Sequence, residues 1–372
     1  MIHVVYFNQW FSSIGPVIED IKAKAEKDGI LLRIIGSSTN PDHAYKNMVD
    51  KFYVEDWSEG STDEEMERNY ISWVTDLCKK EGVDLFLAKK HSDIIVKHQQ
   101  EFDVLGTKVI TCAEPISLKT KKSTYKKLGR FEEFKELIPE YFESDSYELA
   151  CDWVTRRLKN GKATIMKLNE DEGGTSYKEI TLDGPSINQI KTYYGQKITL
   201  DTFKKLLNQD NTNEFIIMEY LKDPEISVDC YNTSTHVIAI AREKSKGRVQ
   251  RVFIDSKITK IAEDIARTCI STGELFNFQL RYDKDGQYKL LEINSRISGG
   301  AYIEVALGIN LMYMQIVNHL NLHCSSKYTI DMMHRWILAE GDGDVDDDNN
   351  FRKHLGSVTK IEDTIILDKQ EL

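Results

Sequence analysis

The sequence has no excess of positive charge. Its 372 residues carry 49 lysines and arginines against 60 aspartates and glutamates, a formal net charge of −11. Nothing overall attracts a phosphate backbone, so nonspecific nucleic-acid binding is not expected. Apolar runs approaching the ~20 residues of a membrane span are missing. The opening MIHVVYFNQW lacks the basic segment and long apolar stretch of a secretion signal. A cytoplasmic location away from membranes is the expectation. The six cysteines, Cys78, Cys112, Cys151, Cys230, Cys269 and Cys324, never fall at CxxC spacing. Scattered thus, they read as reduced, small buried hydrophobes rather than zinc ligands or nucleophiles. No internal repeat is found, and no convincing Ser/His or Cys/His set. The acidic stretch GDGDVDDDNN, residues 341–350, lacks the glycine and terminal glutamate of an EF-hand and reads as a solvated loop.

What is present is a change of pattern near residue 115. Before it, the strand-like segments IHVVYF, ILLRIIG, KFYVED, VDLFLA and TKVIT alternate with the helical VIEDIKAKAEKDG, DEEMERNYISWVTDLCKKEG and SDIIVKHQQEFDVLG. Such alternation implies a mostly parallel sheet covered on both faces, a Rossmann-like α/β domain over 1–115. The first strand is followed by NQWFSSIGP rather than GxGxxG, so dinucleotide binding is not supported. Ser12 or Ser13 is expected simply to cap the next helix. From 116 to 325 the pattern is α+β. A charged helix, KKSTYKKLGRFEEFKELIPEYFE, is followed by SYELACDWVTRRLKNG, by several strands, and by a final helix YIEVALGINLMYMQIVNHL. Residues 326–372 form a small C-terminal extension.

The stretch LLEINSRISGG, 290–300, carries the chemistry. Leu291, Ile293 and Ile297 suit a buried strand, yet Glu292, Asn294 and Arg296 share its other face. The preceding strand, FNFQLRY, is joined to YKLLEIN through DKDGQ. Asp285-Gly286 signals a two-residue type I′ hairpin, which would set Gln279 opposite Glu292 and Asn277 opposite Asn294. A carboxylate among amides at a buried surface costs several kcal/mol without a counter-charge. Magnesium shared with a polyphosphate removes that cost, and hard oxygen donors are what it prefers. Three further segments fit this reading. In ATIMKLNEDEGGTSY, Lys167 closes an apolar strand before a glycine pair whose backbone suits close approach to phosphate. In IIMEYLKDPEISVDC, Met218, Tyr220 and Leu221 make an apolar edge for an adenine ring, and Glu225 follows as an acceptor for ribose hydroxyls. In AREKSKGRVQR, Arg242, Lys244, Lys246, Arg248 and Arg251 form a basic cluster, with Arg242 best placed to meet a transferring phosphoryl group.

Taken in order, these segments resemble the ATP-grasp superfamily over about residues 116–320, most nearly the carboxylate–amine ligases related to carbamoyl-phosphate synthase. There the motif NxQ followed by ExNxR is similar to Asn277, Gln279, Glu292, Asn294 and Arg296. The resemblance implies an ATP-grasp fold behind a Rossmann-like pre-grasp domain. It implies ATP and magnesium as cofactors, with manganese as an alternative metal. Lys122 resembles the lysine that opens the first subdomain and contacts the α-phosphate, and Lys167 the second phosphate lysine. Residues 172–176, with Gly173, Gly174, Thr175 and Ser176, resemble the phosphate-covering loop. Glu219, Tyr220 and Leu221 fall where the hinge meets adenine, and Glu225 resembles the ribose acid. Gln279, Glu292 and Asn294 resemble the magnesium ligands. Arg242 and Arg296, with Asn294, resemble the groups that hold the γ-phosphate and the acyl phosphate. The sequence departs from the family in Asp171 and Glu172 of the loop, in KL after the strand where KP is common, and in SR where PR is frequent. The implied reaction is ADP-forming ligation of a small-molecule carboxylate to an amine, with amino-acid or peptide ligation as one form. Bicarbonate activation and a non-catalytic ATP sensor stand as alternatives, and a homodimer stays open. His91, Tyr302 and Arg251 are candidate lining residues for the acceptor.

Overall fold

The computed structural model describes residues 1–57, 60, 62–112, 118–169, 176–183, 196–208, 212–244 and 249–323, and the strands at 334–338, 357–361 and 364–368. Gly173, Gly174, Thr175, Lys246, Arg248, Cys324 and the acidic stretch 341–350 lie outside the described residues. The chain divides into two compact units, each built from separated stretches. The first is Met1–Ala113, Ile226–Asn277 and Asn294–Leu372; the second is Glu114–Glu225 and Phe278–Ile293.

The first unit opens on a five-stranded parallel sheet. Its strands are β1 (Ile2–Asn8), β2 (Leu31–Ser38), β3 (Lys51–Val54), β4 (Leu85–Ala88) and β5 (Lys108–Thr111), in the order β3-β2-β1-β4-β5. Val5, Tyr6 and Phe7 of β1 are fully buried, as a strand covered on both faces requires. Successive strands run outward from β1 in one direction and then, from β4, in the other. The carboxyl ends of β1 and β4 therefore flank a topological switch point. The helix Asp63–Glu81 starts on the Thr62 side chain, which accepts from the Glu65 N–H, and stops at Gly82 with φ 62°.

Several expected helices prove shorter. SDIIVKHQQEFDVLG is two helices, Ser92–Lys97 and Gln99–Leu105, parted at His98, whose ring nitrogens meet Glu101 at 2.6 Å and Glu67 at 2.9 Å. The charged helix ends at Leu128, ahead of Gly129, and only a 3-10 turn, Glu132–Phe134, follows. YIEVALGINLMYMQIVNHL is also two helices, Tyr302–Val305 and Leu311–His319. Gly308, at φ 81°, turns the chain between them, and Asn310 caps the second by accepting from the Tyr313 N–H at 3.0 Å. Neither Ser12 nor Ser13 caps the helix Gly15–Lys27. Ser13 Oγ instead donates to the Gly299 carbonyl at 2.7 Å.

The second unit holds a four-stranded sheet of β6 (Thr164–Leu168), β7 (Lys178–Thr181), β8 (Lys197–Thr199) and β9 (Phe215–Glu219), ordered β8-β7-β6-β9. Met166, Ile180 and Ile217 pack with Val154 and Phe203 of two helices, Tyr147–Lys159 and Leu200–Leu206. The remaining sheet has the order β14-β13-β10-β11-β12-β15. Its strands are β10 (Lys222–Asn232), β11 (Val237–Lys244), β12 (Val249–Phe253), β13 (Leu275–Tyr282), β14 (Tyr288–Asn294) and β15 (His334–Leu338). β15 pairs antiparallel with β12, and β16 (Ser357–Ile361) pairs with β17 (Thr364–Asp368). No helix among the described residues is long and apolar enough to cross a membrane.

The hairpin between β13 and β14 is not the expected two-residue type I′ turn. That turn needs positive φ at both central residues. Here Gly286 alone has it, at 80°. The Gly286 N–H donates to Asp283 O at 3.3 Å and the Asp283 N–H to Gln287 O at 2.9 Å. This is a three-residue loop closed by a glycine bulge. Asp283 Oδ1 secures it by accepting from the N–H groups of Asp285 and Gln287, both at 2.9 Å.

Candidate functional site

The changed turn shifts the pairing near it by one residue, and a second irregularity acts farther along. The Tyr125 hydroxyl lies 2.9 Å from Leu290 O and 2.8 Å from Leu291 O. Consecutive carbonyls of a regular strand point in opposite directions, so two facing one hydroxyl mark a β-bulge. Burial agrees. Leu290 and Ile293 are both buried although three residues apart, which breaks the period of two. Counting from the turn pairs Leu290 with Leu280, both at 0% exposure; counting past the bulge pairs Ile293 with Phe278, both buried. The bulge thus returns Gln279 to the position across from Glu292.

Within the second unit, Glu292 is engaged by a residue that sequence reasoning missed. Lys121 Nζ lies 3.1 Å from Glu292 Oε2, and the lysine side chain is only 6% exposed. Lys121 is the first residue of the helix Lys121–Leu128, capped by Thr120, whose side chain accepts from the Ser123 N–H. Adjacent helical residues diverge by about 100°, so Lys122 points elsewhere. Its Nζ meets Asp145 at 2.7 Å, and it lines a cavity of about 660 Å³ together with Thr120, Ser123, Lys126, Tyr141 and Asp145. The capping Thr120 immediately before a lysine was the available signal for Lys121.

Lys167 lies on β6 in register with Ile216, on the face opposite Met166. Ser176 Oγ accepts from the Leu168 N–H at 2.9 Å, tying the far side of the expected covering loop to that strand's end. At the hinge, the Glu219 N–H donates to Glu140 O at 2.8 Å and the Tyr220 N–H to Ala163 O at 3.1 Å. The buried Leu221 N–H makes no hydrogen bond among the described residues. Glu225 is met by Arg281 at 3.1 Å, which also contacts Asp223 at 3.2 Å. Gln279 is half-buried.

Within the first unit, Asn294 is half-buried, and Arg242 and Arg296 have opposite surroundings. Arg242 is 1% exposed. Its guanidinium donates to Gln250 Oε1 at 2.9 Å, Asp229 Oδ2 at 3.0 Å, Ser227 Oγ at 3.3 Å and Glu304 Oε1 at 3.3 Å, and also to Ser298 Oγ. Burial pushes Asp229 up, but Arg242, Glu304 and Ser298 outweigh it and hold the carboxyl below its ordinary range. Burial and the Asp229 charge push Glu304 far above its own. A guanidinium with five partners is a structural hub, not a cation held ready for a phosphoryl group. Arg296, by contrast, has no ion pair among the described residues, and its Cζ stands 5.7 Å from the centre of the Phe11 ring. Asn277 donates to Ser227 Oγ, Val228 O and Asp229 Oδ1 at 3.0, 2.9 and 3.1 Å, while its own Oδ1 is buried with no partner among the described residues. Of the candidate acceptor residues, His91 packs against Tyr70 with ring centres 4.4 Å apart, and Arg251 covers Phe253 at 4.7 Å. Tyr302 packs against the apolar core of the first unit.

Among the described residues no cluster of three His, Cys, Asp or Glu side chains forms a resident metal cage. Within the second unit Gln279 and Glu292 offer an amide oxygen and a carboxylate, and a lysine already shares the carboxylate. That donor set fits a magnesium ion arriving with nucleotide phosphates, which complete its shell, better than a permanently bound one.

Comparison with known proteins agrees with this architecture. Residues 211–337 match the family described as ATP-grasp in the biosynthetic pathway with Ter operon. No curated protein matches the sequence. Among solved structures, the biotin carboxylase domain dimer of Hydrogenobacter thermophilus 2-oxoglutarate carboxylase, in complex with MgADP, ADP and bicarbonate, is 12% identical with a TM-score of 0.59. The match covers 91% of this chain and 74% of that one. N5-carboxyaminoimidazole synthetase from Staphylococcus aureus, complexed with ADP, is 12% identical with a TM-score of 0.56, over 86% and 78%. L-amino acid ligase from Bacillus licheniformis is 13% identical with a TM-score of 0.57, over 88% and 76%. At these identities the likeness is one of fold, that of ATP-grasp enzymes, and residues 211–337 are the part that is similar to the family.

Proposed function

We propose that the protein is an ATP-dependent, ADP-forming ligase that activates a carboxylate as an acyl phosphate and joins it to an amine. The observation that carries this reading is the ion pair between Lys121, at the start of the helix Lys121–Leu128, and Glu292 on β14; counting along the strands sets Gln279 across from that carboxylate. A lysine, a carboxylate and an amide at one edge of a strand are what a nucleotide triphosphate with its metal requires, and packing alone gives no reason for them.

In this reading the Leu221 N–H and the Glu219 carbonyl meet the adenine edge, and Glu225, oriented by Arg281, receives the ribose hydroxyls. Lys121 and Lys167 hold phosphate oxygens. Glu292 with Gln279 would hold a magnesium or manganese ion, which would supply neutralisation of phosphate charge. A substrate carboxylate oxygen attacks the γ-phosphorus and ADP leaves. The amine nitrogen then attacks the acyl carbon, loses a proton, and inorganic phosphate departs. Arg296 faces the charge that builds on the transferring group. Arg242 acts at one remove, fixing Ser298 and Gly300 just beyond it.

The test is ADP release from Mg-ATP across a panel of carboxylates and amines, with Glu292→Gln as the comparison. Turnover should fall by at least about a hundredfold, the scale of losing one transition-state charge contact. Unchanged turnover in the variant, or tight Mg-ATP binding with no ADP from any pair, would sink the proposal. Bicarbonate belongs in the panel, because two of the similar structures are a biotin carboxylase and a carboxyaminoimidazole synthetase. ADP release that needs bicarbonate would favour carboxylation over ligation.

A further inference from the structure

The segment NQWFSSIGP, residues 8–16, follows β1 where a dinucleotide-binding chain would carry GxGxxG, and nucleotide chemistry makes no use of it. It is pinned nonetheless. Gln9 holds φ 41° although it is not glycine, and such a conformation persists only where the surroundings impose it. Its N–H donates to Ser37 O at 2.8 Å and its Nε2 to Glu55 Oε2 at 2.5 Å. Trp10, 4% exposed, donates from Nε1 to Leu87 O at 2.9 Å. Its ring meets Phe11 edge-on, with centres 5.5 Å apart and planes at 83°. The Ile14 N–H donates to Phe11 O at 3.1 Å across the 3-10 turn Ser12–Ile14. Contacts to β2 and β4 therefore set where the Phe11 ring stands.

The same segment meets SRISGG, residues 295–300, twice. Ser13 Oγ donates to Gly299 O at 2.7 Å, and Arg296 Cζ stands 5.7 Å from the Phe11 ring centre. Between these contacts the chain is held tightly. Ile297 is 1% exposed, and the Ser298 N–H and Oγ donate to the two Asp229 oxygens at 2.5 and 2.7 Å. The backbone beyond Arg296 is thus fixed, whereas the arginine side chain has neither a hydrogen bond nor an ion pair among the described residues. Ordering so long a side chain carries one of the largest side-chain entropy costs. The negative face of an aromatic ring attracts a guanidinium within ~6 Å of its centre, and the flat group can lie along it. Phe11 is the contact that narrows the choice of rotamers. All of these residues belong to the first unit.

We propose that Phe11 is a positioning residue: its ring preorders the Arg296 guanidinium for the charge that builds on the transferring phosphoryl group, and residues 9–14 carry that constraint from the N-terminal sheet. The part in turnover rests on the ligase reading; the hold of Phe11 on Arg296 does not.

Two readouts separate those parts. The first is the order of the Arg296 Nε–H bond by NMR relaxation, with the signal assigned through its loss in Arg296→Lys; it needs no substrate. Lys89 Nζ stands 5.1 Å from the same ring centre, so the measurement reads Arg296 itself rather than the ring. Phe11→Leu should release the Arg296 side chain, and Phe11→Tyr should keep it ordered. Stepwise fluorination of the Phe11 ring keeps its shape while removing its negative face. It should release Arg296 in proportion, and it carries the test where the leucine variant fails to fold. The second readout is ADP release with the best carboxylate–amine pair. Phe11→Leu should lower kcat roughly fivefold, the scale of a cation–π contact at a partly solvated site, with KM for ATP unmoved. Phe11→Tyr should restore it. Unchanged Arg296 order across the leucine and fluorinated variants overturns the contact. Release of Arg296 with kcat unchanged overturns the positioning role. Release of Arg296 in a protein that forms no ADP with any pair keeps the contact and removes the ligase reading instead.

Discussion

Gly299 and Gly300 look interchangeable in sequence, and the structure assigns them different constraints. A Cβ on Gly300 would stand 2.2 Å from Nη1 of Arg242, 2.6 Å from its Cζ and 2.8 Å from Nη2. A Cβ on Gly299 would meet only Ser13 Oγ, at 3.6 Å, an ordinary contact. Neither glycine has positive φ, so alanine is strained at neither position by backbone conformation. The difference between Gly300→Ala and Gly299→Ala thus isolates how firmly Arg242 is held. A flexible arginine would swing aside at little cost. This one is tied to Asp229, Glu304, Gln250, Ser227 and Ser298, so moving it breaks several charge-assisted hydrogen bonds in a buried site. Gly300→Ala should then cost about 3 kcal/mol, the upper end of overpacking effects. Gly299→Ala should be neutral or stabilise by ~0.5 kcal/mol through the unfolded chain. With a urea slope of about 3 kcal/mol/M, the two midpoints should differ by roughly 1 M. Amide exchange at Ile240 and Ala241, which immediately precede Arg242 on β11, should accelerate in Gly300→Ala alone. Equal midpoints and equal exchange would refute the clamped arginine, and with it the assignment of Arg242 as a hub.

Two other predictions follow from single residues. Lys121→Met should cut ADP release far more than Lys122→Met, by about tenfold or more for loss of a phosphate contact; the reverse ranking would return the phosphate role to Lys122. Glu274 is pushed up to about 7, first by burial and only partly opposed by Gln315 at 3.0 Å. Its folded value lies above its unfolded one, so its contribution to stability is complete below about pH 4.5 and is lost as pH rises through 7. A third of the side chain meets solvent, which discounts that loss to about 1–2 kcal/mol. Glu274→Gln should therefore flatten stability between pH 5 and pH 8, measured by urea midpoints, and an unchanged slope would contradict the burial argument.

The strands and most helices were legible because hydrophobic period and cap residues are local. β1 to β5 appear where alternating segments place them, and the Thr62 cap and Gly82 stop bound their helix as propensity dictates. What was not legible depends on partners far away in sequence. Ser13 fails to cap a helix because the carbonyl of Gly299 competes for its hydroxyl. Arg242 reads as a free cation at a strand end, but Asp229 and Glu304, which meet its guanidinium, come from β10 and from the helix Tyr302–Val305. Lys121 and Lys122 are indistinguishable by composition, and only the helix phase set by Thr120 separates them. The hinge, too, needs Glu140 and Ala163 before one can say which amide remains for a ligand.

The register around Glu292 is the most instructive case, because two irregularities act on it and the hairpin signal shows neither. The Asp285-Gly286 signal suggested a two-residue turn, and from it Gln279 was set opposite Glu292. The real loop is one residue longer, so every pair near it is displaced, and Glu292 would face Phe278 if β14 continued regularly. A carboxylate would then lie on the face of Phe276, Phe278 and Leu280, all fully buried, at a cost of several kcal/mol. The bulge at Leu290 and Leu291 removes that conflict by consuming the extra residue. It is stabilised from outside the sheet, by the Tyr125 hydroxyl on the two carbonyls and by the Leu290 N–H donating to Leu137 O at 2.8 Å. Tyr125 lies on the same helix as Lys121, one turn along. The helix that delivers a lysine to Glu292 therefore also holds the bulge that turns Glu292 toward it. Position and orientation of the pair depend on one element, which is why neither could be read from the hairpin sequence alone.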